Sequence, residues 1–186
     1  MLLHRENRAL QTSLAADHVL GSAAAPVVIL EYGCYCCSRE TQAHAAIRSV
    51  LECFPEEVAF VYRHYPLVVT YPTAFDAAEA VEASAAQGHF WEMHNYLAEH
   101  AHPYSREELI QIASDLDIDA DALAWDLNSH SYCDLVKVHF QSGVRSGVRR
   151  VPAVFVNGLP LRDDVTVGGL RDTVVRAAAR AHDVLL

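Results

Sequence analysis

Cys34-Tyr35-Cys36-Cys37 gathers three of the chain's five cysteines into four residues. A cysteine can attack a disulfide, hold a soft metal or pack as a small hydrophobe, and its surroundings decide which. Here an apolar run, Val27-Val28-Ile29-Leu30-Glu31-Tyr32, leads into the cluster, and a helical pattern begins near Ser38. A thiol between a strand end and a helix start meets the positive end of the helix dipole. Such a position lowers a thiol pKa and leaves the sulfur open to partners. Structural cysteines scatter through a core, so the clustering points to chemistry at the thiols. Far downstream, Val151-Pro152 runs directly into Ala153-Val154-Phe155-Val156-Asn157-Gly158, a short apolar strand ending in a turn. Proline gives no N–H to a sheet ladder, so it belongs at a strand start or on an edge. An ordinary trans bond satisfies that placement. A cis bond would leave the preceding backbone free to pair with an extended ligand. We expect the cis form, with the Val151 backbone facing Cys37.

The elements that must position these residues follow from periodicity. From Ser38, Ala43, Ile47, Val50, Leu51 and Phe54 recur at helical spacing, and Pro55 ends the run. Val58-Ala59-Phe60-Val61-Tyr62-Arg63-His64 reads as a buried strand, so strand, helix and strand form a βαβ unit with a parallel pair. His18-Val19-Leu20 suggests a short edge strand beyond an N-terminal arm. From Thr73 to Gly147 the chain is helical throughout. Ala74–Ala86 is rich in alanine, and His89–His100 carries Phe90, Met93 and Leu97. Ser105-Arg106-Glu107-Glu108 is a capping box. Asp119 or Asp121 can cap the next helix, and a last one carries Cys133, Val136, Phe140 and Val144 on one face. Leu159-Pro160-Leu161 is the expected hairpin partner of the strand after Pro152. An amphipathic helix with Leu170, Val174, Ala177 and Ala181 closes the chain.

Composition narrows the class of partner. The chain has 186 residues, 52% of them hydrophobic and 20% charged, enough to bury a core. A formal charge of −10 disfavours nucleic acid and anionic membrane surfaces. No run approaches the ~18 apolar residues of a membrane span. Polar residues interrupt Met1-Leu2-Leu3-His4-Arg5-Glu6 at once, unlike a secretory signal, so a cytoplasmic location is expected. Thiols stay reduced there, and a cysteine pair is catalytic or sensing more often than structural.

The order βαβ, helical segment, ββα, with a cysteine at the first strand–helix junction and a proline opening the third strand, resembles the DsbA-like family of thiol–disulfide oxidoreductases. The resemblance rests on Asp17-His18-Val19-Leu20-Gly21, Glu31-Tyr32-Gly33, Tyr62-Arg63-His64-Tyr65-Pro66-Leu67, Phe90-Trp91-Glu92-Met93-His94 and Phe155-Val156-Asn157-Gly158. It implies an α/β, thioredoxin-like fold with a helical insertion. The arm would cover residues 1–25, the thioredoxin-like domain 26–72 and 148–186, and the insertion 73–147. It also implies action on protein or peptide thiols and disulfides, with glutathione as a further partner, no cofactor, and a substrate backbone held at Val151 and Pro152. Counting back from Arg63-His64 places the family's nucleophile on Cys37. Its resolving cysteine would then fall on Glu40, a departure from the family pattern. The chain's one Cys-x-x-Cys is Cys34…Cys37, shifted toward the strand.

Several chemistries stay open on these residues. Cys34 can resolve Cys37 from the loop side, since a tight turn brings positions i and i+3 within disulfide reach. Alternatively Cys37 works alone, as a monothiol glutathione-dependent or peroxide reductase, with Glu40 reaching back as in a capping box. A carboxylate there opposes the dipole and favours the protonated thiol. A third possibility is a non-catalytic binding or sensing module that keeps only the fold. Cys36 and Glu40 are the accessory candidates. Three thiols with a nearby histidine could hold zinc, but no second ligand pair shows in the spacing, so no metal is expected. Cys53 and Cys133 fall on or beside apolar stripes and are expected to be buried and inert. His44 and His64 read as structural histidines, and Glu31 as a semi-buried proton acceptor near the thiols.

Overall fold

The computed structural model describes residues 17–22, 24–162 and 165–183. Residues 1–16, where most of the expected arm falls, lie outside the described residues. Two compact units divide the chain. Of the described residues, one takes in those up to Tyr32, Gln42–Arg63 and those from Ser142 on; the other comprises Gly33–Thr41 and His64–Gln141.

The first unit is built on a five-stranded sheet. In chain order its strands are β1 (His18–Leu20), β2 (Val27–Gly33), β3 (Val58–His64), β4 (Ala153–Val156) and β5 (Leu159–Pro160), arranged β1-β3-β2-β4-β5. β1 is the edge strand the sequence suggests and runs antiparallel to β3, His18 opposite Tyr62. β4 runs antiparallel to β2, Leu30 opposite Phe155, and turns through Asn157-Gly158 into β5. The interior strands β2 and β3 are buried almost throughout, which is why both read as continuous apolar runs rather than alternating ones. The helix α1 (Ser38–Cys53) joins them and buries Ala43, Ala46, Ile47 and Val50. The helix α7 (Val167–Asp183) packs on β4 and buries Leu170 and Val174.

Two local devices fix this unit. At Gly21, φ is +97°, and a Cβ would lie 2.6 Å from the Val58 carbonyl oxygen, so only glycine fits the turn after β1. Asn157, itself at φ 47°, accepts the Val28 N–H at 2.7 Å and donates to the Pro26 carbonyl at 3.1 Å, pinning the β4–β5 turn to the start of β2. Inside, Arg63 lies in a two-pronged pairing with Asp17, both bonds 2.8 Å, and donates to Tyr32 Oη at 3.1 Å. The Arg63 and Asp17 side chains are 8% and 3% exposed.

The second unit is helical. Its helices are α2 (Ala74–Ala86), α3 (Phe90–Glu99), α4 (Arg106–Asp115), α5 (Ala120–Ser129) and α6 (Cys133–Arg145), the last continuing past this unit's end. α2 packs against α3, α4 and α5, with alanines on its buried face allowing close approach. The predicted capping box is present: Ser105 Oγ accepts the Glu108 N–H and Glu108 accepts the Ser105 N–H. Asp119 caps α5 through the N–H groups of Asp121 and Ala122. Arg106 clasps Asp76 with two 2.9 Å bonds, tying α4 to α2.

Three expectations about burial need correction. Cys53 is exposed, because it ends α1 on the flank of the stripe that runs through Ile47 and Val50. Cys133 is only half-buried, at the opening residue of α6. The buried face of that helix runs through Val136, His139 and Gly143, rotated from the expected Phe140 and Val144, and Val144 is 53% exposed. A histidine thereby takes a place assigned to an apolar residue.

Candidate active site

The cysteine segment leaves β2 at Gly33 and enters α1 at Ser38. Gly33 gives its carbonyl to the Tyr65 N–H at 2.8 Å, so the segment starts anchored beside the chain that follows β3. The Cys36 N–H then bonds back to the Cys34 carbonyl at 2.7 Å, a tight turn that folds Cys36 over Cys34. Cys37 is the residue before the helix, and its carbonyl accepts the Glu40 N–H at 3.0 Å. The Glu40 carboxylate, buried at 1% exposure, reaches past the helix start and accepts the Cys34 N–H at 3.2 Å. The reach-back expected of Glu40 is therefore made, but to the loop rather than to the helix entry.

This turn brings together Cys34 and Cys36, whose Sγ atoms are 3.3 Å apart. Both are buried, whereas Cys37 is half-buried. Burial disfavours a thiolate, yet the pair splits its load unequally. In the structure the Cys34 thiol donates to Cys36 Sγ. Once Cys34 ionises the Cys36 thiol donates to it instead, and this bond, with the Leu67 N–H, holds Cys34 below the usual thiol range against burial. Cys36 is pushed far up, first by that same bond, then by burial and by the neighbouring acidic groups of Cys34, Glu40 and Cys37. On ionisation the proton therefore stays with Cys36 and the charge settles on Cys34.

Tyr35 points inward between the two thiols, 2% exposed. Its Oη lies 3.0 Å from His94 Nδ1, and its ring meets His64 edge-on with centroids 6.0 Å apart. His64 Nε2 pairs with Glu82 Oε1 at 2.8 Å. Sequence reasoning did not single out Tyr35, Glu82 or His139, and took in His94 only as part of the Phe90–His94 run that carries the resemblance. The one signal was that Tyr35 and Glu82 are polar-tipped residues at positions an apolar pattern would bury. Glu31 is fully buried, in the first unit. Val151 is buried and its bond to Pro152 is cis; the pair precedes β4 in the first unit, whereas the cysteine segment belongs to the second. Among the described residues no helix is long and apolar enough to cross a membrane.

Residues 13–175 match the Thioredoxin family. The chain is 35% identical over 166 residues, 89% of its length, to the Na(+)/H(+) antiporter NhaA 3 of Salinispora tropica. It is 32% identical over 145 residues, 77% of its length, to the antiporter NhaA of Nitrosospira multiformis. It spans about a quarter of the length of these curated relatives, 25% and 23%. Among solved structures, oxidised BdbD of Bacillus subtilis superposes with a TM-score of 0.80 at 20% identity, covering 90% of this chain and 95% of that one. The alpha-DsbA1 of Wolbachia pipientis gives 0.81 at 16% identity, covering 97% and 100%. A thioredoxin-like oxidoreductase from Silicibacter pomeroyi gives 0.78 at 22%, covering 94% and 98%. The sheet, the cysteine segment at its β2–α1 junction and the helices between β3 and β4 thus have the architecture of the DsbA-like folds, and the chain belongs to the thioredoxin family.

Proposed function

We propose that the chain carries out thiol–disulfide exchange on protein or peptide substrates, in the cytoplasm, with Cys37 as nucleophile and Cys34 as resolving thiol. The observation that carries this reading is the contrast within one short segment. Cys37 is half-buried and within reach of a partner, while Cys34 is enclosed and held ready to ionise by Cys36 and the Leu67 N–H. In the exchange, the Cys37 thiolate attacks one sulfur of a substrate disulfide and expels the other as a thiolate. The Cys34 thiolate then attacks the Cys37 sulfur and releases the remaining substrate thiol. The protein is left with a Cys34–Cys37 bond and the substrate has gained two electrons; run backward, the same steps oxidise a dithiol. Val151 and Pro152 would hold the substrate backbone, as the family resemblance implies.

A second reading is favoured by the 3.3 Å approach of Cys34 and Cys36. In it these two thiols form the bond and Cys37 works alone, exchanging with glutathione. Disulfide mapping of the oxidised protein separates the two, together with peptide-disulfide turnover for Cys34→Ser, Cys36→Ser and Cys37→Ser. The first reading expects a Cys34–Cys37 bond and loss of turnover in Cys37→Ser and Cys34→Ser. The second expects a Cys34–Cys36 bond and a glutathione adduct that persists on Cys37. Absence of turnover in the unaltered chain refutes both and leaves a binding or sensing module.

A further inference from the structure

His64, Glu82 and His139 come from three different elements of the second unit, the end of β3, the middle of α2 and the buried face of α6. They converge on one point. His64 Nε2 is 2.8 Å and His139 Nδ1 4.0 Å from Glu82 Oε1, and one ligand atom from each residue lies within 4.8 Å of the other two. The imidazoles stack at 25° with centroids 5.6 Å apart. All three side chains are buried, at 5% exposure or less. Phe90 and Tyr35 present ring edges to His64, so the surroundings are aromatic.

A carboxylate enclosed in such surroundings costs several kcal/mol (on the order of the effective burial penalty for one ion) unless a cation or strong donors neutralise it. Two imidazole nitrogens and one carboxylate oxygen form the donor set that zinc takes in three-ligand sites. Zinc bonds of about 2.0–2.2 Å in tetrahedral geometry separate neighbouring ligand atoms by about 3.3–3.6 Å. The distances between the three groups bracket that spacing, so shifts of roughly an ångström bring them onto one ion. Nothing comparable holds for the thiol cluster. Among the described residues it is these three, not the cysteines, that group at metal-ligand distance.

We propose that His64, Glu82 and His139 form a binding site for a divalent transition-metal ion of the zinc class, the fourth position going to water. No local motif announces the site, because its ligands are 18 and 57 positions apart along the chain, from 64 to 82 and from 82 to 139. Its burial makes the ion structural. Fixing His64 fixes the ring against which Tyr35 rests, and Tyr35 stands between Cys34 and Cys36. The inference is independent of any exchange activity at the thiols.

The test is zinc titration by calorimetry of the chelator-stripped full chain, because thiols also bind zinc, alongside a variant carrying Cys34→Ser, Cys36→Ser and Cys37→Ser together. The cysteine-free segment is expected to leave one equivalent bound at the affinity of the unaltered site. In that background Glu82→Gln and His139→Asn should each weaken binding by more than the roughly 10–100-fold that loss of a mere outer partner costs. Cobalt in place of zinc should give ligand-field absorption without a thiolate charge-transfer band. Loss of the equivalent with the three serines, unchanged affinity in His139→Asn, or a thiolate band in the cobalt spectrum overturns the proposal. Should Glu82→Gln fail to fold by circular dichroism, His139→Asn and the cobalt spectrum decide it.

Discussion

Replacing Asp17 by alanine strands a cation. Arg63 is 8% exposed and gives two of its N–H groups to Asp17 in parallel 2.8 Å bonds; its other contacts, Tyr32 Oη at 3.1 Å and Ser142 Oγ at 3.4 Å, are neutral. Bidentate charged bonds of this kind are about twice as strong as neutral ones. Taking away one partner of a buried pair leaves the other charge without compensation, and costs about 3–5 kcal/mol. For a chain of this size each kcal/mol lowers Tm by about 2–4 °C, so Asp17→Ala should melt roughly 6–20 °C below the unaltered chain. Asp17→Asn retains one acceptor and should fall between. Urea denaturation followed by circular dichroism gives the free energy directly, and Arg63→Met combined with Asp17→Leu supplies the control. Removing both charges together should recover most of the loss, since an apolar pair of similar volume is often as stable as the ion pair. A loss under about 1 kcal/mol in Asp17→Ala, the ordinary size for an exposed pair, would refute the account.

Cys36→Ala removes the thiol that can donate to the Cys34 thiolate, so the pH at which Cys34 becomes half-alkylated per unit time should move upward; iodoacetamide labelling read by mass spectrometry across pH 5–9 or so measures it. The sign follows from the direction of the shift: a lowered thiol keeps its thiolate to lower pH, and losing the donor returns it toward the ordinary range. Tyr35→Phe deletes the hydroxyl 3.0 Å from His94 Nδ1 and should cost about 0.5–1.5 kcal/mol in denaturant titration, the net worth of one buried hydrogen bond.

What the sequence could disclose was what depends on neighbours in the chain. The α1 stripe, the Ser105–Glu108 box and the Asp119 cap are local patterns with local causes, and each appears where periodicity puts it. The position of the cysteine segment follows from the strand before it and the helix after it. Three outcomes were not legible. That the Cys34 and Cys36 thiols lie side by side depends on the 2.7 Å turn bond from Cys36 to Cys34, which no spacing rule reports. Cys53 sits at a helix end, where the stripe continues but the core does not. His139 occupies the buried line of α6 because that helix is rotated by the residues packed against it, and a single helix cannot report its own rotation when Phe140 and Val144 offer an equally apolar line.

Glu40 stands where the family resemblance puts a second cysteine, and its carboxylate closes the loop onto the helix through the Cys34 N–H. A disulfide at that place would be a latch whose state follows the cell's supply of reductant. A carboxylate latch does not consult it: no electron transfer opens it. Position 40 therefore carries no electrons of its own, and whatever redox chemistry the segment does is left to Cys34, Cys36 and Cys37.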